Sequence, residues 1–166
     1  MIELTIATPE NMEALGARLA TGLVDGDLVL LNGELGAGKT TLTRGLGAAL
    51  GIRGSVTSPT FVLARTHPRP TGAPLVHVDA YRLRSAIELD DLDIDFERSI
   101  VVVEWGAGLL DGITETWLEV DIARPTGGPS TSSGSDAYEG PEPRTVTVTG
   151  HGKRWQELGW VGAARD

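Results

Sequence analysis

The chain has 166 residues, 40% of them hydrophobic and none of them cysteine, which gives one domain with a real core and excludes disulfides and thiolate metal sites. Its formal net charge of −9 argues against unaided binding of nucleic acid, because apart from Lys153-Arg154 the basic residues are scattered singly along the sequence, with no run that could neutralise phosphates. No apolar run reaches the roughly 20 residues that span a bilayer, and Met1-Ile-Glu-Leu-Thr is no secretory signal, so a cytoplasmic location is expected.

In chain order, Ile2 to Ala7 alternates as a short strand. Thr8-Pro9-Glu10 reads as a helix start, with an N-cap hydroxyl, Pro at the first helical position and an acid in the first turn. Leu15, Leu19 and Leu23 recur at helical spacing, and Gly22 and Gly26 bracket the exit. Leu28 to Leu31 is a buried strand and Thr41 to Leu50 a helix ending near Gly51. Ser55 to Thr66 reads as a loop running into a strand over Phe61–Ala64, and His67 to Pro74 as a turn. Leu75–Asp79 is a strand ending in an acid. Leu83 to Glu97 is expected to be helical, with six carboxylates from Glu88 onward.

Ile100 to Glu104 is a second fully apolar strand ending in an acid, buried on both faces as in an α/β sheet. Trp117–Ile122 and Arg144–Val148 alternate cleanly and suggest an antiparallel pair at the sheet edge. Between them, residues 125–143 are dominated by Gly, Pro, Ser and Thr, which reads as a flexible insert. A short helix over Trp155 to Val161 closes the chain.

The segment between the first buried strand and its helix carries the clearest chemistry. Gly33-Glu-Leu-Gly-Ala-Gly-Lys39-Thr40-Thr41 fits the phosphate-loop pattern G-x-x-x-x-G-K-[ST] at every fixed position, with strand before and helix after. Gly33, Gly36 and Gly38 let the backbone around Ala37 curl so that successive N–H groups form an anion nest. The helix adds the positive end of its dipole, and Lys39 adds a full charge for the β- and γ-phosphates. Thr40 offers a hydroxyl to Mg²⁺. Only two lysines exist, Lys39 and Lys153, so a lysine here stands out against an Arg-using background. Asp79 and Glu104, at the ends of strands, are the candidate acids for metal and attacking water. His77 and Asp79 share a face as a His-x-Asp pair, but with no other His nearby in sequence and no Cys a structural role for His77 is favoured. Of the four Trp residues, Trp105 stands apart because it follows Glu104 at a strand end.

This phosphate loop, followed by Ser58-Pro59-Thr60-Phe61, His77-Val78-Asp79-Ala80-Tyr81-Arg82 and Glu104-Trp105, resembles the bacterial TsaE (YjeE) ATPases. The resemblance implies a three-layer α/β P-loop NTPase fold with a mixed, mostly parallel β-sheet. It implies Mg²⁺-dependent ATP hydrolysis supporting threonylcarbamoyladenosine formation beside the tRNA anticodon. The partners implied are actin/sugar-kinase-like proteins of the transferase complex, with tRNA met only indirectly. By the same resemblance Lys39, Asp79 and Glu104 are catalytic, Thr40 and Glu104 hold the metal, and Thr41 and Asp79 join the ATP contacts. Thr57, Ser58, Pro59, Thr60, Tyr81, Arg82 and Trp105 form a switch or partner-sensing set, and Thr8 and Pro9 approach the adenine. The chain departs from the family pattern at Ala80, Gly106 and Thr66-His67, and in the 125–143 insert.

Two other classes compete. A small-molecule kinase usually needs an Arg-rich lid, whereas Ser85 to Glu97 is acidic. A non-hydrolysing nucleotide-binding regulator remains open on sequence grounds. A regulatory GTPase does not, because neither Asn11 nor Asn32 precedes a Lys to read guanine.

Overall fold

The structure is a computed structural model that describes residues 1–34, 36–52, 64–80, 88, 92–104, 114–125 and 142–162. Seven strands form one sheet: β1 (Ile2–Ile6), β2 (Leu28–Gly33), β3 (Ala64–His67), β4 (Leu75–Asp79), β5 (Ile100–Glu104), β6 (Trp117–Ala123) and β7 (Arg144–His151), in the order β1-β7-β6-β2-β5-β4-β3. The neighbours β6–β2, β2–β5 and β5–β4 run parallel, while β1–β7, β7–β6 and β4–β3 run antiparallel. The sheet is therefore mixed in equal parts and not mostly parallel. Its parallel centre coincides with strands whose apolar residues are buried on both faces. Of the antiparallel pairs, β3 and β4 follow one another in the chain, which needs no crossover helix.

The alternating pair β6 and β7 is also not the edge. β6 pairs with β2, and β7 lies between β6 and β1, so β1 takes the edge. Alternation reports that one face is less buried than the other, and it does not say which strand comes to lie alongside.

Helix α1 (Pro9–Thr21) starts as its sequence directs. Thr8 is extended, with φ −138° and ψ 161°, and its Oγ1 accepts the Asn11 N–H at 3.1 Å. Helix α2 (Lys39–Ala49) begins two residues before the expected Thr41 and so takes Lys39 and Thr40 into its first turn. The two helices cross closely. A Cβ on Gly16 would stand 2.0 Å from the Leu42 carbonyl oxygen, and one on Gly45 would stand 2.1 Å from that of Glu13. These glycines sit inside helices, where they weaken the local preference, because only a bare Cα permits that approach.

α1 and α2 bury Met12, Leu15, Leu19, Leu42 and Leu46 against Val29, Leu31, Val102 and Leu118 on one face of the sheet. Leu28, Leu30, Val76, Val78, Val101 and Val103 form a second core on the opposite face, against Leu92, Ile94, Phe96 and Trp117. The helix expected over Leu83 to Glu97 falls mainly on residues outside those described. Glu88 is helical, Asp93 has φ 58°, and Phe96–Arg98 is a 3-10 turn, so no α-helix continues to Glu97. Of the strand expected at Phe61–Ala64 only Ala64 lies within the described residues, where it opens β3, which runs on to His67. The closing segment is a 3-10 turn, Lys153–Trp155, followed by a helical turn, Gly159–Gly162. Most of the insert, residues 126–141, also lies outside the description. No helix among the described residues is long and apolar enough to cross a membrane.

Candidate nucleotide site

β2 delivers the chain to Gly33, where a Cβ would stand 2.9 Å from the Ile122 carbonyl oxygen on β6 and 3.1 Å from the Ala37 Cβ. The strand can therefore meet the loop only through glycine. The Ala37 N–H bonds the Glu34 carbonyl at 3.0 Å and closes a tight turn. Gly36 and Gly38 have φ 79° and 122°, conformations that residues with a Cβ rarely adopt. Gly38 caps α2 with no side-chain hydrogen bond, so the first N–H groups of the helix face the loop instead of a capping oxygen.

Lys39 is fully buried. Its Nζ donates to the carbonyl oxygens of Gly33 at 2.8 Å and Glu34 at 3.2 Å, which folds the side chain back over the loop entrance. Thr40 and Thr41 are buried beside it, and the Thr40 Oγ1 has no hydrogen-bond partner among the described residues. Thr43 spends its hydroxyl on the Lys39 carbonyl at 2.8 Å and stiffens the first turn.

The two acids come from adjacent parallel strands. Leu31 of β2 stands in register with Glu104 of β5, and Glu104 with Asp79 of β4. In-register residues of parallel strands share a face, so both acids project to the side that carries α2. The Ala80 N–H bonds the Glu104 carbonyl at 2.8 Å and ties the ends of the two strands together. Glu104 is buried, with Oε2 3.4 Å from the His77 Nε2 and Oε1 without a hydrogen-bond partner. His77 is thus placed as a neighbour of the acid, and neither of its buried ring nitrogens has a hydrogen-bond partner among the described residues.

A buried hydroxyl and a buried carboxylate oxygen, both unbonded, are costly in an interior where polar groups are normally paired. Hard oxygen donors of this kind suit Mg²⁺, so the residues present fit that ion. No group of three His, Asp or Glu able to hold a metal alone occurs among the described residues.

Thr8 and Pro9 stand at the start of α1, where the Thr8 hydroxyl is engaged as the cap. They lie just beyond Ile6, whose register partner on β7 is Arg144. Thr57, Ser58, Pro59, Thr60, Tyr81, Arg82 and Trp105 lie outside the described residues.

Sequence reasoning missed Arg144. It is fully buried, and it donates from Nε to the Ala37 carbonyl at 3.1 Å and from Nη2 to the Gly36 carbonyl at 3.3 Å. As a single Arg at the start of an alternating strand it carried no local signal; its burial follows from β7 lying between β1 and β6.

The titration of His67 is shifted. Burial, the His77 charge and the Arg65 charge hold its pKa below the ordinary value of 6.5. β3 and β4 pair antiparallel, which brings the two histidines together despite their separation in sequence.

A family model for the threonylcarbamoyl adenosine biosynthesis protein TsaE matches residues 6–129. The TsaE protein of Streptomyces coelicolor is 55% identical over 148 residues, covering 87% of this chain and 93% of its own. That of Mycobacterium tuberculosis strain H37Rv is 49% identical over 130 residues, covering 72% and 77%. A crystal structure of Bacillus subtilis YdiB superposes with a TM-score of 0.68 at 27% identity, over 93% of this chain and 88% of the other. The phosphate loop, the flanking acids and these matches together place the chain in the TsaE family.

Proposed function

We propose that Lys39, Thr40, Asp79 and Glu104 form the hydrolytic centre through which this chain serves its family's task. Membership makes the chain an ATP hydrolase that acts with partner proteins in the biosynthesis of threonylcarbamoyladenosine on tRNA. The observation that carries the assignment of residues is the pair of buried, unbonded oxygens, Thr40 Oγ1 and Glu104 Oε1, beside the Lys39 loop.

In this reading the N–H groups of Gly38 to Thr41 receive the phosphates, and Lys39 turns its ammonium from the Gly33 and Glu34 carbonyls to the β- and γ-phosphate oxygens. Thr40 and Glu104 would hold Mg²⁺, which offsets phosphate charge when bound. Asp79, less buried than Glu104, orients the water that attacks the γ-phosphorus. A bond forms from the water oxygen to phosphorus, and the bond to the β–γ bridging oxygen breaks to leave ADP and phosphate. Thr8 and Pro9 approach the adenine. Thr57 to Thr60 with Tyr81, Arg82 and Trp105 sense the partner state.

The chain works as one domain, in the cytoplasm, on actin/sugar-kinase-like partners, and reaches tRNA only through them. Its charge of −9 supports that indirect route. The test is nucleoside analysis of tRNA from cells depleted of this protein and supplied with wild-type or K39A chain. The wild type should restore threonylcarbamoyladenosine and K39A should not. Normal levels of the nucleoside after depletion would overturn the reading.

A further inference from the structure

We propose that Arg144 is a positioning residue for the phosphate loop, holding the peptide groups at its crest so that the turn stays closed and the Gly38 N–H meets phosphate. The inference rests on the ATP site proposed above and concerns a residue outside every motif that defines that site.

Arg144 opens β7, and the Ala37 carbonyl that its Nε meets is 107 residues away in sequence. Burying a guanidinium is expensive unless its donors are filled. Here Nε takes the Ala37 carbonyl, Nη2 the Gly36 carbonyl and Nη1 the Glu142 carbonyl at 2.8 Å. The Glu142 carboxylate stands 3.9 Å from Nη1, and 4.0 Å from Arg124 Nη2 on its other side.

The two loop carbonyls are the informative contacts. A peptide group is planar, with its C=O and N–H on opposite sides. Fixing the Ala37 carbonyl on Arg144 therefore aims the Gly38 N–H the other way, toward the phosphate side of the loop. Fixing the Gly36 carbonyl aims the Ala37 N–H into the turn that it closes on Glu34. Gly36 and Gly38 both have positive φ, and glycine peptides can otherwise rotate at little cost. Lys39 holds the carbonyls of Gly33 and Glu34 at the loop entrance, and Arg144 holds those of Gly36 and Ala37 at its crest. The buried guanidinium also places a permanent positive charge behind the nest. Lysine cannot reproduce the fork, because its donors radiate from a single nitrogen.

The test uses the full chain carrying R144K, which keeps the charge and the fold, and R144G, which leaves a space that guanidinium ion can enter. ADP affinity is measured by calorimetry well below each variant's melting temperature. R144K should bind ADP on the order of tenfold more weakly than wild type, because it loses at least one charge-assisted bond to the loop. R144G should be weaker still and regain affinity when guanidinium ion is added. A folded R144K with wild-type ADP affinity would overturn the proposal, as would an R144G whose melting temperature responds to guanidinium while its ADP affinity does not. If R144G does not fold, R144K decides. Wild-type chain that binds no ADP would instead remove the ATP-site reading on which the proposal stands.

Discussion

Two polar clusters flank β2 on opposite faces of the sheet, and they are built on opposite rules. On the α2 face, Thr40, His77 and Glu104 are buried, and Thr40 Oγ1 and Glu104 Oε1 have no hydrogen-bond partner among the described residues. On the other face, Asn32 donates to Glu119 at 3.1 Å and Asp121 at 2.9 Å, and His151 meets Glu119 at 2.8 Å. Trp117 stacks on His151 with ring centroids 4.2 Å apart and reaches Glu119 with its Nε1 at 3.4 Å. The second cluster is half-buried and internally paired, so it has little left with which to hold a ligand. The first leaves strong donors of lone pairs unused in a dry place, which costs stability and is retained where a ligand completes the set. Polar residues at a sheet centre are therefore sorted by what remains unbonded, not by how many acids are present.

Substitutions on the two sides should separate activity from stability. The largest effect is expected for K39A, which removes the one positive side chain of the loop and should cut ATP turnover on the order of 10³-fold with weakened nucleotide binding. A steady-state phosphate-release assay reads the first and calorimetry the second, and wild-type values in both would end the assignment. E104Q comes next, with turnover lower by on the order of 100-fold and ADP affinity nearly retained. Its melting temperature should hold or rise, since a buried carboxylate with an unbonded oxygen is replaced by a neutral amide. A large fall in stability with turnover intact would reverse the comparison.

E119A should do the opposite. It strips partners from Asn32, Trp117 and His151, and a loss of about 1–2 kcal/mol in denaturant unfolding is expected because water can reach the half-exposed groups. ATP turnover at a temperature well below melting should stay at the wild-type level, and a drop there would mean that the paired cluster also serves the site. The smallest effect concerns His67, whose folded pKa lies below 6.5 through burial and the His77 and Arg65 charges. A depressed histidine adds stability that is complete above pH 6.5 and is lost as pH falls through the folded value, because the unfolded chain then binds more protons. Wild type should therefore lose more melting temperature than H67Q between neutral and mildly acid pH, and parallel curves would show that His67 contributes nothing to the pH dependence.

The comparison also marks what could be read in advance. The loop glycines, Lys39 and Thr40 were legible because an anion nest needs small residues, a cation and a hydroxyl at fixed separations along one continuous segment. Asp79 and Glu104 were legible as acids ending apolar strands, though not as a register pair; that needed the order β2-β5-β4. Glu119 and Asp121 are acids on an alternating strand, and nothing in their spacing says that Asn32 and His151 will satisfy them.

Sequence alone determined most of the described local elements and picked out the phosphate-loop pattern, because helix caps, strand periodicity and turn chemistry act over a few residues. It misjudged the balance of parallel and antiparallel pairing and the place of β6 and β7, because strand order is settled by which faces bury most area together. Only the tertiary structure decided that Gly16 and Gly45 let two helices touch, that one carboxylate near β2 is left unbonded while another is filled, and that Arg144 from the last strand lies under the loop. Each of these depends on residues far apart in the chain becoming neighbours, and the energy that brings them together comes from the apolar strands between them and not from the residues themselves.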